Sequence, residues 1–447
     1  MRTLFFVVAA GLVATGVIRA APAGAAESLD AAMISAYSNN PALNAARANL
    51  RATDEAVPQA LSAFRPQVSG SASDSRAFTA SGVSGAVRAG SVTVNQNVFN
   101  GFRNLDSLKS AETAVLSGRE TLRNAEQTTL LNTVTAFMNL VQAQATLNLR
   151  NANVQFLTQQ VQAAQERLNV GTGTKTDVAS ANASLAAAQT QYYQAVSALN
   201  TAIAVYEQVV GHKPSSLGMA RSVDALLPRT LDQALAIGYA GQPTIKIAEY
   251  AIDTADFAVK NAEGALLPTV SLQGRLTRNL ASGGQTAGAL SASLDVPIWN
   301  GGIQSSRVRA AKETLGQRRI ELDAAREAVR QAVTSAWGAL EAARASIRSA
   351  DATVEAQTLV VQGFQEQLRV GQATTLDLLN SQQSLLNAQL AQVTAQRDRV
   401  VAAYTLLQSI GMLSADYLGL GVDPYNPVQH YELVRDKLAG TNTPDGR

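Results

Sequence analysis

The sequence predicts a mixed fold: a β-barrel joined to a barrel of long antiparallel helices arranged as coiled-coil hairpins, all written twice along one chain. Three observations carry this. The phrase "ERLNVGTGTKTD" (Glu166–Asp177) returns 200 residues later as "EQLRVGQATTLD" (Glu366–Asp377). Proline is absent between Pro66 and Pro214 and again between Pro297 and Pro424. Short segments of alternating polarity precede the long helical part of each span. A repeat at fixed spacing makes each half the same supersecondary unit. Long proline-free stretches with apolar residues at four-three spacing are coiled-coil helices. Strict alternation is the period of a strand with one apolar face.

The first element stands apart. Met1-Arg2 leads an apolar run from Leu4 to Ile18, which Arg19 and Pro22 close before the small residues around Ala23-x-Ala25. A membrane-spanning helix needs about 20 apolar residues, so residues 1–25 read as a secretory signal. The chain has no cysteine to carry a lipid. No other apolar run is long enough to span as a helix, so a membrane role would fall to strands.

Beyond the leader, the first repeat covers 26–211, a linker 212–228, the second repeat 229–411 and a tail 412–447. The constant shift also matches Ser184-Leu185, Ala188-Gln189 and Gly211 with Ser384-Leu385, Ala388-Gln389 and Gly411. A shift of 202 sets "RPQVSG" (Arg65–Gly70) over "LPTVSL" (Leu267–Leu272).

The strands come next. Val270, Leu272 and Leu276 alternate with polar residues over 270–278, and Leu290, Ala292, Leu294, Val296 and Ile298 do so over 290–298. In the first half Val92, Val94 and Val98 alternate with Thr93, Asn95 and Asn97. The pattern fits a membrane barrel strand or a two-sided sheet in water; the secretory leader points to the barrel. Four strands per chain cannot close one, because the smallest have eight, and lipid tolerates no open edge. The barrel must be shared. Two copies would supply eight strands and three would supply twelve.

At the strand-to-helix junctions stand Phe99-Asn100-Gly101 and Trp299-Asn300-Gly301. The glycines permit a sharp change of direction. The aromatics suit either a lipid headgroup level or a packed corner.

One helix is expected from about 101 to 169 and its twin from about 301 to 369, each roughly 100 Å long. Leu130, Val134, Phe137 and Val141 mark the first seam. Leu386, Leu390, Val393, Val400, Tyr404 and Leu407 mark a second, interrupted by Arg397. Gly171 and Gly371 fall where one helix stops and the next starts, as a C-terminal glycine does. Thr174 with Asp177, and Thr374 with Asp377, have capping-box spacing. A phosphate loop is excluded: no strand precedes either glycine run, and the second copy lacks Gly173 and Lys175. The phrase is a bend at a hairpin tip.

Composition narrows the function. With 36 basic and 34 acidic residues there is no electrostatic case for nucleic acid. His212 and His430 stand alone in expected surface loops, without metal-ligand spacing. No nucleophile, metal or phosphate motif is present, so no catalytic residue, metal site or cofactor is expected. A trimeric coiled-coil stalk of structural or adhesive role is the competing reading. Strands and long helices interleave twice, however, which favours a continuous tube.

At this point the chain resembles the TolC-type outer membrane efflux and type I secretion channels. "RPQVSGSAS", "VNQNVFNGF", "DVPIWNGGIQSSRVRAAKE" and the two bends carry the resemblance, which runs from Ser28 to Lys437. It implies a homotrimer whose protomers each give four strands to a twelve-stranded barrel in the outer membrane. A helical tunnel would cross the periplasm, with the tail also periplasmic. The implied partners are outer membrane lipid, a periplasmic adaptor and an inner-membrane RND, MFS or ABC transporter. The family gate at the periplasmic tip maps onto Asp377, with Asn380 replacing the second gate aspartate. Thr176 and Asp177 match the family's linking pair, but their tyrosine and arginine partners are Leu368 and Ala373 here. Asp377 in a first helical turn is a natural cap. Three such carboxylates around an axis would also repel one another and favour a bound cation.

Overall fold

In the computed structural model the described residues are 27–444, apart from 77, 81, 84–86, 219, 220, 222 and 281–283. The expected leader lies outside them. The chain opens with α1 (Leu29–Asn39) and α2 (Pro41–Asp54), followed by α3 (Ala56–Ser62). Ser28 caps α1 by accepting from the Ala31 amide. Asn40 caps α2 by accepting from Ala42 and Leu43. Next come β1 (Gln67–Ser75), a small hairpin of β2 (Phe78–Thr79) and β3 (Gly82–Val83), and β4 (Val87–Phe99). The long hairpin of α4 (Arg103–Asn169) and α5 (Lys175–Val210) completes the first repeat.

The second repeat retraces this path. A short 3-10 turn at Asp224–Leu226 leads to α6 (Leu231–Gly241) and α7 (Pro243–Gly264). Then come β5 (Thr269–Asn279), β6 (Thr286–Asp295), α8 (Ile303–Arg369) and α9 (Thr375–Ser409); a short α10 (Gln429–Val434) lies in the tail. Both α4 and α8 have 67 residues, or about 100 Å at 1.5 Å per residue. One difference between the repeats has a local cause. Pro58 has no amide proton and its ring crowds the carbonyl four residues back, so the helix breaks at Glu55 into α2 and α3. The equivalent Lys260 lets α7 run unbroken.

The main core sits part-way along the long helices, not at an end. Leu29, Met33, Leu130, Val134, Phe137, Tyr206, Leu340, Tyr404 and Leu407 are buried together there. In the expected seams Val141, Leu390, Val393 and Val400 are only half-buried. Toward the tips two smaller clusters join the hairpins: Leu157, Ala164, Ala181 and Ala188 with Leu379, and Val361 with Leu378 and Leu385. Phe156 touches both.

The tail straps this core. Arg123 and Gln127 donate to the Gly411 carbonyl, Ala415 N–H to Glu126, and the Tyr425 amide to the Tyr37 hydroxyl. His430 is not the surface residue expected. Its Nδ1 lies 3.0 Å from the carboxylate of Asp54, which is 0% exposed. Burial pushes the Asp54 carboxyl up, and the His430 contact opposes this. The pair was invisible in the sequence because its members are 376 residues apart.

The four main strands form one antiparallel sheet in the order β1-β4-β5-β6. Its register sorts the side chains by face. Val68 lies opposite Val94, Val92 opposite Leu276, Val270 opposite Leu294, and Leu272 opposite Ala292. The other face is a lattice of hydroxyls and amides: Ser71 bonds Ser91 at 2.9 Å, Gln273 donates to Asn95 at 2.8 Å, and Ser271 bonds Ser293 at 2.7 Å. The last strand was expected over 290–298 but runs Thr286–Asp295. Its β5 partner ends at Thr269 opposite Asp295, and Pro297 has no amide to offer. Among the described residues no helix is long and apolar enough to cross a membrane.

Candidate functional site: the hairpin tips and the open sheet

At each tip the backbone turns through a left-handed glycine, Gly171 at φ 79° and Gly371 at φ 78°. A Cβ would meet nothing at either position, so glycine is needed for its conformation alone. The next helix opens with a complete capping box. The Asp177 amide donates to Thr174 Oγ1 at 3.1 Å, and the Thr174 amide and hydroxyl return bonds to Asp177 Oδ2 at 3.0 and 2.6 Å. Thr374 and Asp377 repeat this at 3.2, 2.9 and 2.6 Å. The threonine bonds hold both carboxyls below the usual range.

A lowered carboxyl pKa contributes stability that is present above the unfolded value near 3.9 and lost as pH falls through the folded value. Amide-exchange protection in the first turns of α5 and α9 is therefore expected to hold down to about pH 4 and decline below it. Protection indifferent to acid would remove the carboxylates from the caps.

The two tips also touch each other. The Arg167 guanidinium, anchored by Nε to the Ala163 carbonyl, donates to Thr375 Oγ1 of the second hairpin at 3.3 Å. Thr375 is only 4% exposed, and its hydroxyl also helps hold down the Asp177 carboxyl, as does Arg167. Leu368 and Ala373 line the same cleft. Asp377 faces its own Thr374, while Thr176 and Asn380 are exposed. Sequence reading missed Arg167 and Thr375 because it followed what the repeats share. Here they differ: Arg167 stands over Gln367 and Lys175 over Thr375.

At the other end each long helix leaves the sheet through two left-handed residues, Gly101-Phe102 and Gly301-Gly302. Asn100 donates to Asn104 at 2.6 Å, and Asn104 to the Ala63 carbonyl at 2.8 Å. Phe99 meets Phe102 edge-on at 5.2 Å. In the second repeat Ile298 and Trp299 are 91% and 84% exposed. Among the described residues both outer strands, β1 and β6, have an unpaired edge. The sheet is thus an open segment with one apolar and one polar wall, suited to lining a passage, and it needs neighbours.

The outer membrane efflux protein family model matches residues 33–212 and 238–412, one repeat after the other. The chain belongs to the outer membrane efflux protein family. It is 42% identical over 445 residues to the outer membrane efflux protein BepC of Brucella suis biovar 1 (strain 1330), covering 98% of this chain and 97% of that one. It is 24% identical over 414 residues to outer membrane protein TolC of Escherichia coli (strain K12), covering 87% and 83%. In fold it matches the CmeC outer membrane channel of Campylobacter jejuni at TM-score 0.78 and 18% identity, over 91% of this chain and 89% of that one. As an outer membrane efflux protein it is a passive channel, not an enzyme. It lies in the outer membrane with its helical part in the periplasm.

Proposed function

We propose that this chain is the exit duct of a tripartite efflux pump or type I secretion system. It would work as a homotrimer whose shared twelve-stranded barrel crosses the outer membrane. Cargo arrives from an inner-membrane RND, MFS or ABC transporter through a periplasmic adaptor, and the transporter supplies the energy. One observation carries the reading: a four-stranded sheet with an apolar wall, a polar wall and two open edges stands on hairpins about 100 Å long. Lipid requires those edges to be paired, and three copies give a closed polar lumen continuous with a helical tube. The test is the detergent-purified chain in planar bilayers: a mass of about three chains and discrete conductance steps are expected. A monomer, or an assembly that passes no ions, would end this reading.

In this duct the tips form the periplasmic gate. The Asp377 carboxylates ring the narrowest point and prefer cations, Asn380 lies one helical turn further on, and Thr176, Asp177, Arg167 and Thr375 tie neighbouring hairpins. Asp377→Asn keeps a cap acceptor but removes the charge. Block by multivalent cations is expected to weaken with little loss of assembly. Unchanged block would leave Asp377 as a helix cap only.

A further inference from the structure

Among the described residues the polar wall of the sheet carries a cation that nothing balances, Arg275. Side chains alternate between the two walls along each strand. From β1 the polar wall receives Gln67 and the serines at every second position after it. From β4 it receives Ser91, Thr93 and Asn95, and from β6 Ser291, Ser293 and Asp295. The hydroxyls and amides bond one another, as Ser271 does Ser293 and Gln273 does Asn95. Arg275 stands apart. It lies opposite Thr93 on one side and Ala289 on the other. It is exposed, and among the described residues its side chain makes no hydrogen bond or ion pair.

The carboxylate of this wall is Asp295, opposite Thr269 at the helical end. Arg275 is six residues beyond Thr269 on β5, about 20 Å away at 3.4 Å per residue. That is about twice the Debye length at 0.1 M salt, so Asp295 does not neutralise it. The strand connections bring no acid to the outer end. Between Ser75 and Val87 the charged residue is Arg76, and between Asn279 and Thr286 there is none. The other charges of the strands lie on the apolar wall, where Arg88 donates to Asp74 at 3.1 Å and Arg278 stands opposite Gly90. On both sides β5 has strands of its own chain, so a neighbouring copy cannot set a strand beside Arg275.

We infer that Arg275 makes the outer half of the passage an anion-binding station, at which the guanidinium groups of three copies together hold multivalent anions and the anionic groups of cargo. This rests on the shared-barrel reading and names a selective residue within it. Twelve strands about 4.8 Å apart and tilted by about 40° close on a radius of about 12 Å. An arginine stem points inward from that wall, which brings each guanidinium within about one Debye length (10 Å at 0.1 M salt) of the axis. The three fields overlap there, and the low-dielectric wall focuses them. Guanidinium forks also match the oxygens of carboxylates and phosphates. At the opposite end of the molecule the proposed Asp377 ring prefers cations, so the passage changes its preferred sign between tip and exit.

The test is calorimetric binding of citrate, a tricarboxylate, to the full-length detergent-purified assembly at about 0.05 M salt, where screening is weak. One citrate per three chains is expected. Arg275→Gln should weaken binding about tenfold, and Arg275→Lys should keep most of it because the charge stays. Arg278→Gln lies three residues on but on the apolar wall, and should change nothing. Binding should fade at about 1 M salt, where the Debye length is about 3 Å. In planar bilayers, citrate added on the loop side of the sheet should reduce the current of the unmodified channel more than that of Arg275→Gln. A conducting assembly that binds no citrate, or binds it equally well as Arg275→Gln, overturns the anion station and leaves the duct standing. An equal loss in Arg278→Gln overturns the assignment of Arg275 to the lumen. A monomer, or an assembly that passes no ions, overturns the inference and the duct together.

Discussion

Replacing Gly101 with alanine is expected to destabilise the protein by about 2–5 kcal/mol, the sum of a left-handed backbone for a residue with a Cβ and an overpacked corner. Gly101 has φ 69°, and an added Cβ would stand 2.1 Å from the Gly264 carbonyl oxygen and 3.0 Å from Leu267 Cβ. Gly264 ends α7 and Leu267 lies in the bend before β5, where the sheet meets the long helices, and the nearest atom is backbone, which cannot swing aside. Gly171→Ala supplies the control: its φ is also positive, but nothing lies within 4 Å. That variant should lose only about 1–2 kcal/mol. Denaturation midpoints of the two variants, measured in one detergent, give the comparison. If the losses match, the Gly101–Gly264 contact is not the constraint described here.

Arg167→Ala is expected to shift the gate proposed at the hairpin tips toward the open state by about two orders of magnitude. A charge-assisted hydrogen bond at a half-exposed site contributes about 1 kcal/mol net. In the proposed homotrimer three are lost together, and about 1.4 kcal/mol is a factor of ten. Thr375→Val reaches the same bond from the other hairpin, since it removes the acceptor while keeping the volume of a residue that is almost wholly buried. Both capping boxes survive in either variant, so protection of the first turns of α5 and α9 should stay while single-channel open probability rises. Wild-type open probability in both variants would reduce this contact to ordinary packing.

What the sequence disclosed follows from the range of the interactions involved. The long helices were legible to within two residues because seam period and glycine stops are local; α4 starts at Arg103, not 101, because two left-handed residues form the corner. The capping boxes lie within four residues of chain and were equally plain. The strands of the second half stood out through leucine, and the end of β6 was misjudged because Val296 and Ile298 continue the alternation after the partner strand has ended. Arg167 with Thr375, Gly101 with Gly264 and His430 with Asp54 are distant in sequence, and no local pattern announces them. The little β2–β3 hairpin lacks the alternation by which the longer strands were recognised.

The buried Asp54 has one further consequence. Among the described residues its Oδ1 has no hydrogen-bond partner, and its Oδ2 meets the His430 ring, 376 residues further along the chain. Until His430 has left the exporting machinery, this carboxyl group must stay wet or take up a proton, because a bare charge is expelled from an apolar interior. The helices around Asp54 therefore close fully only once the segment that carries His430 has joined them, so a polypeptide lacking that segment is expected to be loose and open to proteolysis.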